Sequence, residues 1–421
     1  MRSGSGNICA AMRDEKQLPA SDDARPGNSV KGSRESILFV VLVVVVVGMA
    51  LAAYARYLSP DRPGVTTRLG FNGFFDQSEY LKSAKILSHF HLPSRPDQYR
   101  FGLGYPALAV PFLWIGFHGD PFAPVDVLTY GATAALTFVL GTRLPLLSSQ
   151  RGRIAGGLAA AAIATVASPL LELNTSPINT SITVPLTLLV LVIATSAHQV
   201  SYPRAIAIGA ALGWIFAARY ADGVFVGLPV IALVVLRTPR ERRRIVVGGG
   251  ATVSVIVALV LFTQFHAFGN PLITPYHYHL RASGANDQSL AQFHLAKVPT
   301  NFLGTFVTGL QNGRRLPRDP ILRQFPLLWL APIGAAVVVG QRVRDRLLWM
   351  TMTITSLMVS IFYLAFVAGG PYDLLFSSPR YWAAWYPLWS VFIVATAVAG
   401  IEQLTSRSTP TRSDFSRGND P

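Results

Sequence analysis

The stretch ILFVVLVVVVVGMALAAYARYL, Ile37–Leu58, decides the fold class: about twenty consecutive residues without a charge before Arg56 match the length a helix needs to cross a hydrocarbon core. No small-residue cleavage pattern follows a short apolar core, so the run reads as a span and not as a leader. The rest of the chain has the same character. Of its 421 residues 51% are hydrophobic and 14% charged, where a soluble domain carries about 25% charged residues. Lipid is therefore the solvent for most of the chain. The formal charge of +15 would point to nucleic acid in a soluble protein; here its meaning lies in where the arginines fall relative to the apolar runs, and no nucleic-acid partner is expected. The single cysteine, Cys9, excludes an intramolecular disulfide and cysteine chemistry.

Further apolar runs of spanning character fall at about Asp126–Leu147, Ile154–Leu170, Ser181–Ala197, Ala205–Tyr220, Val224–Val235, Ile245–Phe265, Phe325–Gly340, Leu347–Val367 and Tyr386–Ile401. Basic clusters sit at Arg151 and Arg153, at Arg237–Arg244 (RTPRERRR) and at Arg342–Arg346 (RVRDR), whereas the connections around Asn174, Asp222 and Tyr372 carry little positive charge. The positive-inside rule places all three clusters in the cytoplasm. That holds only if the eleventh apolar run, Gly102–Phe117, does not cross. It is short for a span and contains Pro106 and Pro111, so it reads as interfacial or re-entrant. The expectation is an all-α polytopic membrane protein of about ten transmembrane helices, with both termini cytoplasmic. Residues 1–36 and 403–421 read as disordered tails around a membrane domain 37–402, and residues 59–125 and 266–324 as external segments holding the chemistry. The plasma membrane is the expected location.

The first external segment contains FNGFFDQSEYLKSAKILSHFH. From Asp76 onward Tyr80, Leu81, Ala84 and Leu87 share a helical face with Lys82 and Lys85 away from it, as in a helix lying along a bilayer surface. Asp76 as N-cap with Glu79 three residues on fits a capping box, a purely structural role for both acids.

Context changes that reading. Asp76, Tyr80 and Ala84 form D-x-x-x-Y-x-x-x-A after a first span, and a Tyr-Pro segment follows at Tyr105 and Pro106, with Ala107 in place of a second proline. In this the chain resembles the GT-C superfamily of polyprenyl-phosphate-sugar-dependent glycosyltransferases, especially its protein-mannosyltransferase and lipid A aminoarabinose-transferase-like branch. ASPLLELNTSP (Ala167–Pro177) is similar to the end of the family's third span, and GAALGWIFAARYADGVFVGLPV (Gly209–Val230) to its turn with Arg219, Asp222 and Gly223. FGNPLITPY (Phe268–Tyr276) resembles the element after its seventh span, and SPRYWAAWYPLW (Ser378–Trp389) its Arg-Tyr element before a late span.

The resemblance implies an inverting glycosyltransferase that moves a sugar from a polyprenyl-phosphate donor to an external lipid or glycan acceptor. Membrane lipids and the lipid-linked sugar are then its partners, and no cofactor is needed. Such transfer passes through an oxocarbenium-like state, needing a base for the acceptor hydroxyl and positive charge for the departing phosphate. The family's catalytic acid maps to Asp76, with Glu79 in reserve. Substrate contacts map to Glu79, Tyr80, Tyr105, Arg219, Asp222, Tyr276, Arg380 and Tyr381. Arginine suits the phosphate because its planar fork holds two oxygens and keeps its charge. Structural alternatives stand beside each: Arg219 paired with Asp222, or either arginine snorkelling to the interface. Arg314, Arg315 and Arg318 break the positive-inside trend, as a headgroup contact or as a solvated basic loop. His277 and His279, with His266, Asp287 and His294 in the same segment, lack the fixed spacing of a metal site, and no metal is expected. The competing reading is a multi-pass transporter or lipid flippase, or a catalytically silent chain of the same fold; no internal repeat supports the transporter. A single site requires Asp76, Arg219 and Arg380 to converge to well within two helix diameters, on the order of 20 Å.

Overall fold

The structure is a computed structural model, and it describes residues 27–58, 75–175, 178–196, 199–275, 278, 293–311, 314–315, 319–341, 345–365 and 379–408. The chain divides at residue 42 into two units, the first of which contributes to the described residues only the beginning of one helix. Everything below concerns the larger unit, Val43–Pro421.

Helices make up most of the described residues. In chain order they are α1 Gly27–Leu58, α2 Phe75–Ser88, α3 Gly104–Trp114, α4 Ala123–Gly141, α5 Gln150–Ala162, α6 Leu170–Asn174, α7 Thr180–Ala194 and α8 Tyr202–Ala218. They continue as α9 Tyr220–Leu236, α10 Pro239–Arg244, α11 Gly250–Phe268, α12 Val298–Phe302 and α13 Ile321–Gln324, then α14 Ala331–Gly340, α15 Arg346–Ala365 and α16 Tyr386–Ser408. A two-residue antiparallel ladder joins Leu310–Gln311 to Arg314–Arg315. Among the described residues each apolar run of the sequence contains a helix. Helix α1, however, starts at Gly27 and α16 runs to Ser408, so parts of both expected tails are helical. Extending an existing helix costs far less than nucleating one.

Among the described residues five helices are long and apolar enough to cross a membrane: Phe39–Arg56, Ala123–Gly141, Pro239–Phe268, Arg346–Ala365 and Pro379–Thr405. Four more are apolar but shorter, at Thr180–Ala194, Tyr202–Ala218, Tyr220–Leu236 and Pro326–Gly340. At 1.5 Å per residue these reach only about 22–26 Å, a little under the hydrocarbon thickness. The run at Ile154–Leu170 belongs to neither group: it is rich in Ala and Gly, and it ends in a π-helical turn at Ile163–Ala167. The chain is thus a helical membrane protein.

The outer faces fit that solvent. Val44, Met49, Val255, Leu259, Phe262 and Leu357 are each more than half exposed, which only lipid covers favourably. Inside, large rings fill the bundle; Trp382, Trp385, Tyr386 and Phe392 are at most 1% exposed and pack with α7, α14 and α15.

The two ends of the bundle differ in their turns. At one end Arg237 donates to the carbonyls of Ala194 (3.2 Å) and Ser196 (2.7 Å), Arg244 to that of Val200 (3.3 Å), and Arg143 to Thr195 Oγ1 (3.1 Å) and the Val192 carbonyl. Thr238 and Glu241 close a capping box there. Arg237 and Arg143 thus cap the carboxyl end of α7, and Arg242, donating to the Val235 carbonyl (2.6 Å), caps that of α9, the electronegative poles of those helices. The opposite end of the same helices carries Asn179, whose Nδ2 donates to the Ala218 carbonyl (3.1 Å).

A candidate functional site at one end of the bundle

Arg219 organises this end. Helices α8 and α9 are antiparallel neighbours joined by that single residue, whose extended backbone (φ −149°, ψ 104°) ends one helix and begins the next. So tight a connection needs close approach, and Gly223 permits it: a Cβ there would lie 2.7 Å from Phe216 Cα. Gly102 and Gly104 do the same for the segment before α3. A Cβ on Gly104 would lie 2.7 Å from Ala218 N, and one on Gly102 would collide with the Ala217 carbonyl. Trp214 Nε1 pins the arrangement by donating to the Gly104 carbonyl at 2.8 Å.

The Arg219 guanidinium points into the protein. Its Nη2 donates to Tyr363 Oη (2.8 Å), which donates onward to Asp222 Oδ1 (2.7 Å). Its Nη1 lies 3.0 Å from Asp222 Oδ2, off the line a hydrogen bond needs, so that oxygen is held by charge alone. The side chains of Arg219 and Asp222 are 10% and 1% exposed, and the rings of Tyr363 and Tyr381 lie 5.3 and 5.6 Å from the guanidinium carbon. The sequence's structural alternative, an Arg219–Asp222 pair, is present. A buried pair of this kind fixes geometry more than it adds stability.

Through the same side chain the 380 segment is fixed. Arg219 Nη1 donates to the Arg380 carbonyl at 3.3 Å. Arg380 in turn projects outward: its Nη1 donates to Asp76 Oδ2 at 2.8 Å, and its guanidinium carbon lies 5.4 Å from the Tyr381 ring centre. Arg380 and Asp76 are 31% and 23% exposed, which leaves this ion pair open to a ligand where Arg219 is closed. Asp76 is the second residue of α2 and not its N-cap, and its carboxylate is engaged by an arginine 304 residues away. Glu79 lies one turn further on, half-buried.

Beneath the pair, α2 buries Gln77, Tyr80 and Ala84. Tyr80 meets Tyr105 edge-on at 5.3 Å, and Tyr105 Oη donates to the buried Asp126 Oδ1 at 2.8 Å. Burial, and then the neighbouring Asp76 carboxylate, push the Tyr80 phenol well above its ordinary value, so it stays neutral. Through Tyr80, α2 thus rests on Tyr105 and Phe122.

Asp76, Arg219 and Arg380 converge in one network, together with Tyr80, Asp222 and Tyr381. Sequence reasoning overlooked Tyr363 and Asp126. Tyr363 falls in the apolar run of α15 as one hydroxyl-bearing ring near its end; Asp126 opens α4 and reads as a helix-starting acid. Tyr276, His277, His279, Asp287 and Arg318 lie outside the described residues. Among the described residues no group of three His, Cys, Asp or Glu side chains is placed to hold a metal ion. Arg315 lies 3.8 Å from Asp319, on the surface.

No protein-family model matches the chain, and no curated protein matches it by sequence. Solved structures match its fold. The oligosaccharyltransferase AglB of Archaeoglobus fulgidus, in complex with an inhibitory peptide and a dolichol-phosphate, superposes with a TM-score of 0.55 at 12% identity, over 88% of this chain and 52% of that one. The same organism's oligosaccharyltransferase in its apo form gives 0.54 at 12% identity, over 88% and 51%. ArnT from Cupriavidus metallidurans bound to undecaprenyl phosphate gives 0.46 at 14% identity, over 87% and 62%. The chain spans between half and two thirds of the length of these structures. The likeness is one of fold, shared at low identity with the two oligosaccharyltransferase structures.

Proposed function

We propose that the chain is an inverting glycosyltransferase that takes a sugar from a polyprenyl-phosphate donor and passes it to a lipid or glycan acceptor on the external face of the plasma membrane. The observation that carries this reading is the Asp76–Arg380 pair. It is a base and a phosphate-binding fork 2.8 Å apart, partly open, at the end of the bundle opposite the arginine-capped turns.

In the reaction the acceptor hydroxyl loses its proton to Asp76 as its oxygen bonds to the anomeric carbon. The bond from that carbon to the phosphate oxygen breaks on the opposite face, and the electron pair leaves with the lipid phosphate, where Arg380 meets the developing charge. Before substrate arrives each group neutralises the other. A phosphate on the Arg380 fork competes for the guanidinium and frees the carboxylate to act as base. Arg219, Asp222 and Tyr363 position Arg380 through its backbone; their burial suits that role better than direct contact. A prenyl chain has a place beside them: an apolar cavity of about 720 Å³ lies between α12, α14, α15 and α16, and Phe306 and Leu364 on its wall adjoin Trp382 and Tyr363.

The ten apolar runs are assigned as ten spans, with residues 59–125 and 266–324 external and both termini cytoplasmic. Helix α3, eleven residues long, covers about 16 Å, which supports leaving it uncrossed.

Transfer from a labelled polyprenyl-phosphate sugar by the purified chain tests the reading. Asp76→Asn is expected to lower turnover at least about a hundredfold while donor binding persists, since losing a general base typically costs that much. Arg380→Lys should weaken donor binding as well. Unchanged turnover in the Asp76 variant removes it from the chemistry.

A further inference from the structure

A second cavity, of about 810 Å³, lies near the far end of α2, between that end and the end of α11. His89 is thirteen residues beyond Asp76, about 20 Å along the helix, so this cavity is separate from the transfer site. Lys85, His89, His91 and His266 line it, with Phe90 and Phe262, and no carboxylate is among its lining residues. Asp97, the nearest acid in sequence, is drawn to Lys82 at 3.7 Å.

Acceptors on its walls are already taken. The last carbonyls of α2, which would ordinarily repel an anion, each receive a bond: Lys85 O from the Ser88 hydroxyl (2.7 Å), Ile86 O from the amides of His89 and His91, Leu87 O from that of Phe90, and Ser88 O from Trp114 Nε1 (2.9 Å). Gln98 Oε1 accepts from the Ser94 amide at 3.0 Å. What the cavity offers is donors: one ammonium and three imidazoles, each able to donate a hydrogen bond.

The surroundings say where the anion comes from. Val255, Leu259, Phe262 and His266 follow one another at helical spacing on α11, all turned outward, and the first three are 70%, 56% and 56% exposed. This stripe rises about 16 Å, half the hydrocarbon thickness, and ends in His266, two residues from the end of a candidate span. Beside it Phe90, at φ 58°, holds the left-handed backbone that a bulky residue rarely adopts, and its ring, 85% exposed, stacks on Trp114 at 5.2 Å. Exposed aromatics at the end of a span are the belt that sits at headgroup level.

We propose that this cavity binds the phosphodiester headgroup of an anionic phospholipid, with Lys85, His89, His91 and His266 on the phosphate and an acyl chain lying along Val255, Leu259 and Phe262. The site holds the outer end of α2 to the bilayer surface, and it stands whether or not the Asp76 end transfers sugar.

Native mass spectrometry of the full chain in a non-ionic detergent tests it, with dioctanoyl phosphatidylglycerol, dioctanoyl phosphatidylcholine and inorganic phosphate as probes. Phosphatidylglycerol is expected to be retained about tenfold more tightly than phosphatidylcholine, and Lys85→Gln/His89→Gln/His91→Gln/His266→Gln to erase that preference. Asp76→Asn should bind it as the unaltered chain does. Equal retention of the two lipids, an undiminished preference in the fourfold variant, or displacement by inorganic phosphate at equimolar concentration would each overturn the proposal. Should the fourfold variant aggregate, His89→Gln and His266→Gln singly are expected to lower retention about threefold each, and no loss in either counts against it.

Discussion

Two arginines at one end of the bundle do different work, and exposure separates them. Arg219 is enclosed by Asp222, Tyr363 and Tyr381, while Arg380 reaches the surface and holds Asp76. The link between them is the bond from Arg219 Nη1 to the Arg380 carbonyl, and Tyr363 steadies Arg219: its hydroxyl accepts from Arg219 and donates to Asp222. Tyr363→Phe leaves that aspartate oxygen and one guanidinium nitrogen unmatched in a buried site, at a cost of about 1–3 kcal/mol. Thermal unfolding in detergent should therefore shift down, and in the transfer assay KM for the donor should rise more than kcat falls, since Arg380 loses its support and Asp76 does not. An unaltered KM would mean that the Arg219 network does not position Arg380. The motif resemblance, and not residue type alone, singled out Asp76, Arg219 and Arg380 in the sequence. Their pairing was not legible: nothing local connects residues 304 apart. Tyr363 was hidden because a tyrosine in an apolar run reads as packing.

At the scale of elements, the hairpin of α8 and α9 depends on one glycine face. Gly223→Ala puts a methyl group against Phe216 backbone, 2.7 Å from its Cα, whereas Gly227 on the same helix has open space around it. The first substitution is expected to destabilise by about 1–3 kcal/mol and to move Arg219. Gly227→Ala should be neutral or stabilising by up to about 1 kcal/mol, from helix propensity alone. Melting temperatures of the two variants measured side by side check this, and equal shifts would contradict the packing. Apolar runs predicted every long helix because hydropathy over some twenty residues is a local property. Their lengths were less legible. Helices α7, α8 and α9 stop at 15–17 residues because their ends turn into the site and into arginine-capped turns, and those ends are set by tertiary contacts.

For the whole molecule, the two ends of the bundle differ in chemistry. Arg143, Arg237 and Arg242 spend their donors on helix carboxyl ends at one, and Asp76 and Arg380 meet at the other. Positive charge is retained on the cytoplasmic side during insertion, so the Asp76 end should face outward. The chain lends itself to a direct measurement because Cys9 is its one native cysteine. In a Cys9→Ser background, single cysteines at exposed positions report their side through a membrane-impermeant maleimide added to intact cells. Gly119→Cys, before α4, and Leu295→Cys, beyond α11, should react from outside; Gln150→Cys, after α4, and Arg240→Cys, at the start of α10, should react only once the membrane is opened. Ser94→Cys, on the other side of α3 from Gly119, decides the role of Gly102–Phe117. An eleven-residue helix that stays at the surface leaves Ser94 and Gly119 on the same side, both reactive from outside. If the two label from opposite sides, α3 crosses, the count of spans becomes eleven, and the arginine clusters after it can no longer share the cytoplasm with the N-terminus.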